Sequence, residues 1–172
     1  MNSSLMAPPL SRRTIEQFAN YVRHQLNIGG CLYVPIVKIV EHVIPTLDPS
    51  FQLYTTYESE MSNEYANYCP QTNTLSIRQD VYIAACADDP RHRFTVAHEL
   101  GHYFIHDDVT AFSRCPKNAT VPTFRDPEWQ ANVFASEFLM SKSLITGMTA
   151  EQVALTCKTS LQSAEIALKY VA

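Results

Sequence analysis

The sequence predicts an α+β fold in which a small, mostly antiparallel sheet packs against helices. Three observations predict it. Two mid-chain segments, FQLYTTY and NTLSIR, alternate apolar and polar residues as half-buried strands do. Helical apolar periodicity flanks them on both sides. One of the flanking segments, RFTVAHELGHYFIH (residues 93–106), sets His98, Glu99 and His102 among apolar neighbours, as a buried helix would.

In chain order, residues 1–10 read as a flexible tail and residues 11–172 as a single domain. Thr14 and Gln17 have capping-box spacing for a first helix whose apolar face is Ile15, Phe18, Ala19, Val22 and Leu26. Gly29-Gly30 is expected to end it. Pro35 suits the first turn of a second helix, running to about Ile44 and closed by Pro45. The two strands follow, with Leu75 and Ile77 on one face, then a short helix over Val81–Cys86. Asp88 or Asp89 can cap the motif helix, with Pro90 in its first turn. Residues 107–125 read as a loop, and Asp126-Pro127 opens the helix EWQANVFASEFLM. Two short helices close the chain. Thr149 and Gln152 cap the first; Ser160 caps the second, which carries Leu161, Ala164, Ile166, Leu168 and Val171.

Composition narrows the function classes. The chain has 172 residues, 46% hydrophobic and 17% charged, enough for one domain with a real core. Four glycines leave no Gly-rich phosphate loop, and a net charge of −4 argues against a surface built to grip nucleic acid. The N-terminal MNSSLMAPPLSRR lacks a signal-peptide apolar run, and no stretch approaches the roughly 18 apolar residues of a membrane span. A cytoplasmic location is expected, with no membrane partner. The five cysteines are odd in number and form no C-x-x-C pair, which argues against a disulfide framework or a Cys-rich zinc site.

Residues four apart on a helix share a face, so His98 and His102 can aim two imidazoles at one divalent ion. Such an ion needs a further protein ligand and an open position. Glu99, turned about 100° from His98, can lie beside the ion without binding it and take a proton from water held there. That is the division of labour in H-E-x-x-H hydrolases. The competing reading is a buried helix with incidental histidines. It leaves polar groups unpaired in an apolar setting, which is costly.

Three residues compete for the third ligand. His106 shares the face but lies roughly 9 Å along the axis from the midpoint of the pair, which suits a supporting histidine better than a ligand. Asp108 occupies the last position of the longer H-E-x-x-H-x-x-G-x-x-H pattern, but Ile105 stands where that pattern needs glycine. Glu128 is best placed. It falls in the first turn of its helix on a stripe with Ala131, Ala135 and Leu139, and the small alanines would let the two helices approach closely. Glu137 and Gln130 point to the opposite side, and Glu137 reads as solvated. Asn132, one turn beyond Glu128, is a candidate to orient it.

RFTVAHELGHYFIH followed by EWQANVFASEFLM resembles the ImmA/IrrE-type metallopeptidases, over most of the chain. The resemblance implies a zincin-like metallopeptidase domain with His98, His102 and Glu128 as Zn2+ ligands and Glu99 as the catalytic carboxylate; Mn2+ or another divalent metal also suits such a ligand set. It implies proteolysis of a helix-turn-helix (Xre-type) repressor or antitoxin encoded nearby, on a mobile element or in a stress response. One departure is Ser141, where such proteins usually carry proline.

In that reading Leu75, Ser76 and Ile77 form an edge strand to which an extended substrate adds, and Tyr103 and His106 are the nearby candidates to support the transition state. Two rival classes stand beside it. One is a zinc-fold protein that acts by binding, as a sensor or as a toxin neutralised by a partner. The other is a DNA-binding regulator using the closing segment TAEQVALTCKTSLQSAEIALKYV, whose Lys158 and Lys169 offer little charge for phosphates.

Overall fold

The computed structural model describes residues 5–61, 64–106, 112–115 and 120–171. Strand β1 (Leu5–Met6) pairs antiparallel with β5 (Ser113–Arg114). The chain between β1 and the first helix is tied down. Ala7 N–H donates to Arg125 O at 2.9 Å, Leu10 N–H donates to Phe124 O at 2.9 Å, and Ala7 is fully buried.

Helix α1 (Arg12–Gln25) starts at Ser11, whose Oγ accepts from Thr14 N–H at 3.1 Å. The cap therefore sits three residues before the expected Thr14. The helix buries Ile15, Ala19 and Val22 and ends before Asn27, which takes the left-handed conformation (φ 56°). An asparagine thus makes the turn expected of Gly29-Gly30. Helices α2 (Ile36–Lys38) and α3 (Ile44–Leu47) are joined by a π turn, Ile39–Val43. Pro45 was the expected stop, yet the helical path continues through it to Leu47. The wide turn, in which Ile44 N–H reaches Ile39 O, accommodates a ring that would collide with the carbonyl four residues back.

Strands β2 (Gln52–Thr56), β3 (Ala66–Cys69) and β4 (Thr74–Arg78) form a three-stranded mixed sheet in the order β2-β4-β3. β3 and β4 are antiparallel, with Tyr68 opposite Leu75; β2 runs parallel to β4, with Leu53 opposite Leu75. The NTLSIR strand is therefore central. Leu75, Ser76 and Ile77 are paired on both sides, so the expectation that they form an edge for substrate is corrected. β3 is the edge strand next to the motif helix. It lies outside the two strands the sequence predicts, although Ala66 and Tyr68 alternate with outward residues.

Helix α4 (Gln79–Cys86) leads to α5 (Pro90–Ile105), the motif helix, capped by Asp89 through His92 N–H at 3.0 Å. Helix α6 (Pro127–Leu139) is capped by Asp126 through Glu128 N–H at 3.0 Å. α7 (Lys142–Ile145) was not expected. It follows directly on Ser141, which is buried and donates its hydroxyl to Asn20 Oδ1 at 2.7 Å. α8 (Ala150–Cys157) carries the Thr149–Gln152 capping box, and α9 (Leu161–Leu168) is capped by Ser160. Val153, Cys157, Ala164 and Ala167 are buried, so this closing pair packs onto the domain. Among the described residues no helix is long and apolar enough to cross a membrane.

α5 lies between the sheet and α6, and α6 in turn packs on α1. The core of this stack includes Ile15, Ala19, Val96, Leu100, Phe134 and Phe138. Where α5 meets α6 the backbones nearly touch. A Cβ placed on Gly101 would lie 3.0 Å from both Cα and O of Ala131. Gly101→Val is therefore expected to destabilise the protein by about 1–3 kcal/mol, as overpacking does. Gly101→Ala should cost less, because the helix-propensity gain of about 1 kcal/mol over glycine opposes the clash. Urea denaturation of the three proteins checks this; a valine variant as stable as the parent would mean that the helices part freely.

Candidate metal centre

Three side chains from two helices converge across this contact. His98 and His102 stand one turn apart on α5, and Glu128 comes from the first turn of α6. His98 Nε2 lies 3.1 Å from His102 Nε2 and 3.1 Å from Glu128 Oε2, and His102 Nε2 lies 3.4 Å from Glu128 Oε1. A tetrahedral zinc with bonds of about 2.0–2.1 Å separates neighbouring ligand atoms by about 3.3–3.4 Å. The triangle thus has the size of one face of such a site.

The donor set itself calls for a cation. Two ring nitrogens face each other and a carboxylate, an electron-rich grouping that a proton or a metal cation between them stabilises. The pKa shifts agree. Burial lowers that of His98, but the Glu128 hydrogen bond and the charges of Glu99 and Glu128 outweigh burial and raise it. Hydrogen bonds from His102 and His98 hold the Glu128 carboxyl well below the usual range. Both shifts favour positive charge at this corner. His98, His102 and Glu128 can therefore hold a divalent metal ion.

Glu99 faces a different environment. It is 9% exposed, and its Oε2 accepts from Tyr68 N–H of the edge strand at 2.8 Å. Burial raises its pKa, against the lowering charges of His102 and His98. It is a carboxylate beside the triangle, more basic than usual and fixed in direction by the strand.

The supporting residues sort themselves differently from expectation. Asn132 does not hydrogen-bond Glu128; its Oδ1 meets His98 Nδ1 at 3.0 Å, so it orients the imidazole. His106 is buried, with Nδ1 at 2.9 Å from His102 Nδ1 and Nε2 at 2.8 Å from Gln130 Oε1. Its pKa is pushed down to about 4, chiefly by burial. Tyr103 donates its hydroxyl to Asp48 Oδ2 at 3.1 Å, on the wall of a cleft of about 370 Å³ that Tyr68, Asn73 and Phe104 also line. Asp108 lies outside the described residues. Glu137 is not solvated. It is 4% exposed, takes Asn20 Nδ2 at 2.6 Å and Lys142 N–H at 3.1 Å, and binds α6 to α1 and α7. Gln130, on the same side, is fully buried. The missed signal was helix α1, whose Asn20 faces α6.

The sequence of this region is similar to that of known proteins. A family model described as the IrrE N-terminal-like domain (Peptidase_M78) matches residues 50–161, a span that contains His98, Glu99, His102 and Glu128. Metallopeptidase ImmA of Bacillus subtilis (strain 168) is 34% identical over 86 residues, 44% of this chain and 48% of that protein. The chain thus spans about half the length of the curated relative it matches.

The hydrogen bonds to Asp48 in this cleft predict a pH dependence of stability. Asp48 has its pKa lowered from 3.8 to about 2, first by the Ser50 hydroxyl and then by the Asn73 amide, with Tyr103 a smaller contributor. Because the folded value is the lower one, this stabilisation is present in full above the unfolded value of about 3.9 and is lost as pH falls toward 2. In metal-free protein, Asp48→Ala should lower the urea midpoint at pH 7, and the gap from the parent should shrink by pH 2.5. A gap that is constant between the two pH values would refute the assignment.

Proposed function

The chain belongs to the IrrE N-terminal-like family of M78 peptidases, and on that premise we propose that it is a zinc-dependent endopeptidase acting on a protein partner. The observation that carries the reading is the triangle of His98, His102 and Glu128 with the buried Glu99 carboxylate beside it. Zinc held by those three residues would supply a Lewis acid to polarise the scissile carbonyl and acidify water.

The chain's own groups do the rest. Glu99, made more basic by burial and aimed by Tyr68 N–H, takes the proton of the attacking water and delivers it to the leaving amine. Asn132 and His106 each hold the Nδ1 of one of the two imidazoles, which leaves both Nε2 atoms facing the Glu128 carboxylate, where they would hold the ion. β3, the edge strand that already contacts Glu99 through Tyr68, is where an extended substrate segment adds by backbone hydrogen bonds. The proposed substrate class is a helix-turn-helix repressor or antitoxin encoded nearby, which rests on the resemblance of the paired motifs to ImmA/IrrE-type proteins.

Separation of function tests the reading. Glu99→Gln is expected to keep one zinc per chain and to slow cleavage of the partner at least about 100-fold, the usual contribution of a general base. His98→Ala, His102→Ala and Glu128→Ala are each expected to lose zinc to a chelator that leaves the parent loaded. Cleavage by Glu99→Gln at the parental rate would overturn the mechanism. A stable complex of zinc-loaded parent with intact partner would turn the reading to a binding protein.

A further inference from the structure

Gln130 was not among the residues that the sequence marked for the site, and it is fully buried. Its Nε2 donates to Pro8 O at 2.9 Å and to Phe124 O at 2.9 Å. Carbonyls only accept, so these two contacts fix which end of the amide is which. Oε1 is left facing His106 Nε2 at 2.8 Å. An amide oxygen also only accepts, so the proton between them belongs to His106 Nε2. A singly protonated imidazole then presents a lone pair at Nδ1, which lies 2.9 Å from His102 Nδ1. His102 must fill that gap with its own Nδ1–H. In the neutral ring, the form that can bind a metal, its Nε2 is then left with a lone pair, on the side where His98 Nε2 and the Glu128 carboxylate lie.

We infer that Gln130, clamped by the Pro8 and Phe124 carbonyls, is a positioning residue that selects the tautomer of His106 and through it the metal-binding tautomer of His102. The inference rests on the metal reading above and adds the part of the chain that enforces it. The relay draws on the pairing of residues 7–10 with the 123–125 turn. Ala7 and Leu10 donate to Arg125 O and Phe124 O, and this pairing brings Pro8 O and Phe124 O to the same amide. Pro8 lies outside the span matched by the family model, residues 50–161, so this anchor belongs to the chain's N-terminal segment. Asn132 serves His98 more simply, through one contact at 3.0 Å.

Nitrogen-15 NMR of the histidine rings in zinc-loaded protein reads the relay directly. His106 is expected as the Nε2–H tautomer; the Nδ1–H tautomer would overturn the inference. Gln130→Met keeps side-chain length but removes the acceptor. It is expected to weaken zinc binding about 10–100-fold in chelator competition, the usual cost of losing such support, and to mix the His106 tautomers. Unchanged affinity with an unchanged ring spectrum would overturn the inference. A second pair of variants holds should Gln130→Met not fold. His106→Gln can accept from His102 and donate to Gln130, whereas His106→Phe can do neither. The glutamine variant should therefore bind zinc at least about 10-fold more tightly, and equal affinity for the two would count against the relay. Failure of the parent protein to bind zinc at all would instead overturn the metal reading beneath it.

Discussion

The close crossing of α5 and α6 at Gly101 and Ala131 is the constraint on which the site depends. Histidines one turn apart on a helix are easily made; a carboxylate within 3.1–3.4 Å of both requires a second backbone to come very near. Gly101 has no side chain to hold α6 off, and Ala131 offers only a methyl, so the first turn of α6 can deliver Glu128 across the gap. The rest of the packing serves that crossing. α1 and the sheet enclose the two helices from either side, and Phe134 of α6 packs against Phe18 of α1 and Phe104 of α5.

The same crossing gives two carboxylates different surroundings. Glu128 is 65% exposed along its side chain, but two imidazoles hold it ionised. Glu99 is buried beside the same imidazoles, and burial wins, making it a better base. A helix with H-E-x-x-H spacing reaches this asymmetry by rotation alone. One step of about 100° moves a side chain from the open side of the helix to the side under the sheet.

Around the centre, buried polar side chains take the place of apolar filler. Arg93 donates to Val34 O at 2.8 Å and pairs with Asp88 at 3.0 Å, joining α5 to the α2 approach. Arg23 reaches Phe138 O and Cys31 O, tying α1 to the end of α6. Glu137 and Gln130 add bonds to α1, α7 and the N-terminal segment. Each of these groups costs free energy to bury unless its partners are in place. They therefore favour one arrangement of helices over the sliding alternatives that an all-apolar interface permits.

How much of this could be read from the chain alone follows from which interactions are local. The spacing of His98, Glu99 and His102, the caps at Asp126, Thr149 and Ser160, and the apolar face of α1 depend on neighbours within one or two helical turns, and periodicity reveals them. Glu128 was legible because its alanine stripe announces a close helix neighbour. The strand order was not. Whether β4 is an edge or a centre depends on β2 returning parallel on its far side, and nothing in NTLSIR distinguishes the two. The burial of Glu137 and the clamp on Gln130 were equally hidden, since their partners Asn20 and Pro8 lie 117 and 122 residues away. The motif helix was thus determined by local sequence. The edge strand, the approach distance and the orientation of each histidine ring were decided by tertiary structure, because hydrogen-bond partners distant in the chain become neighbours only once the helices have packed.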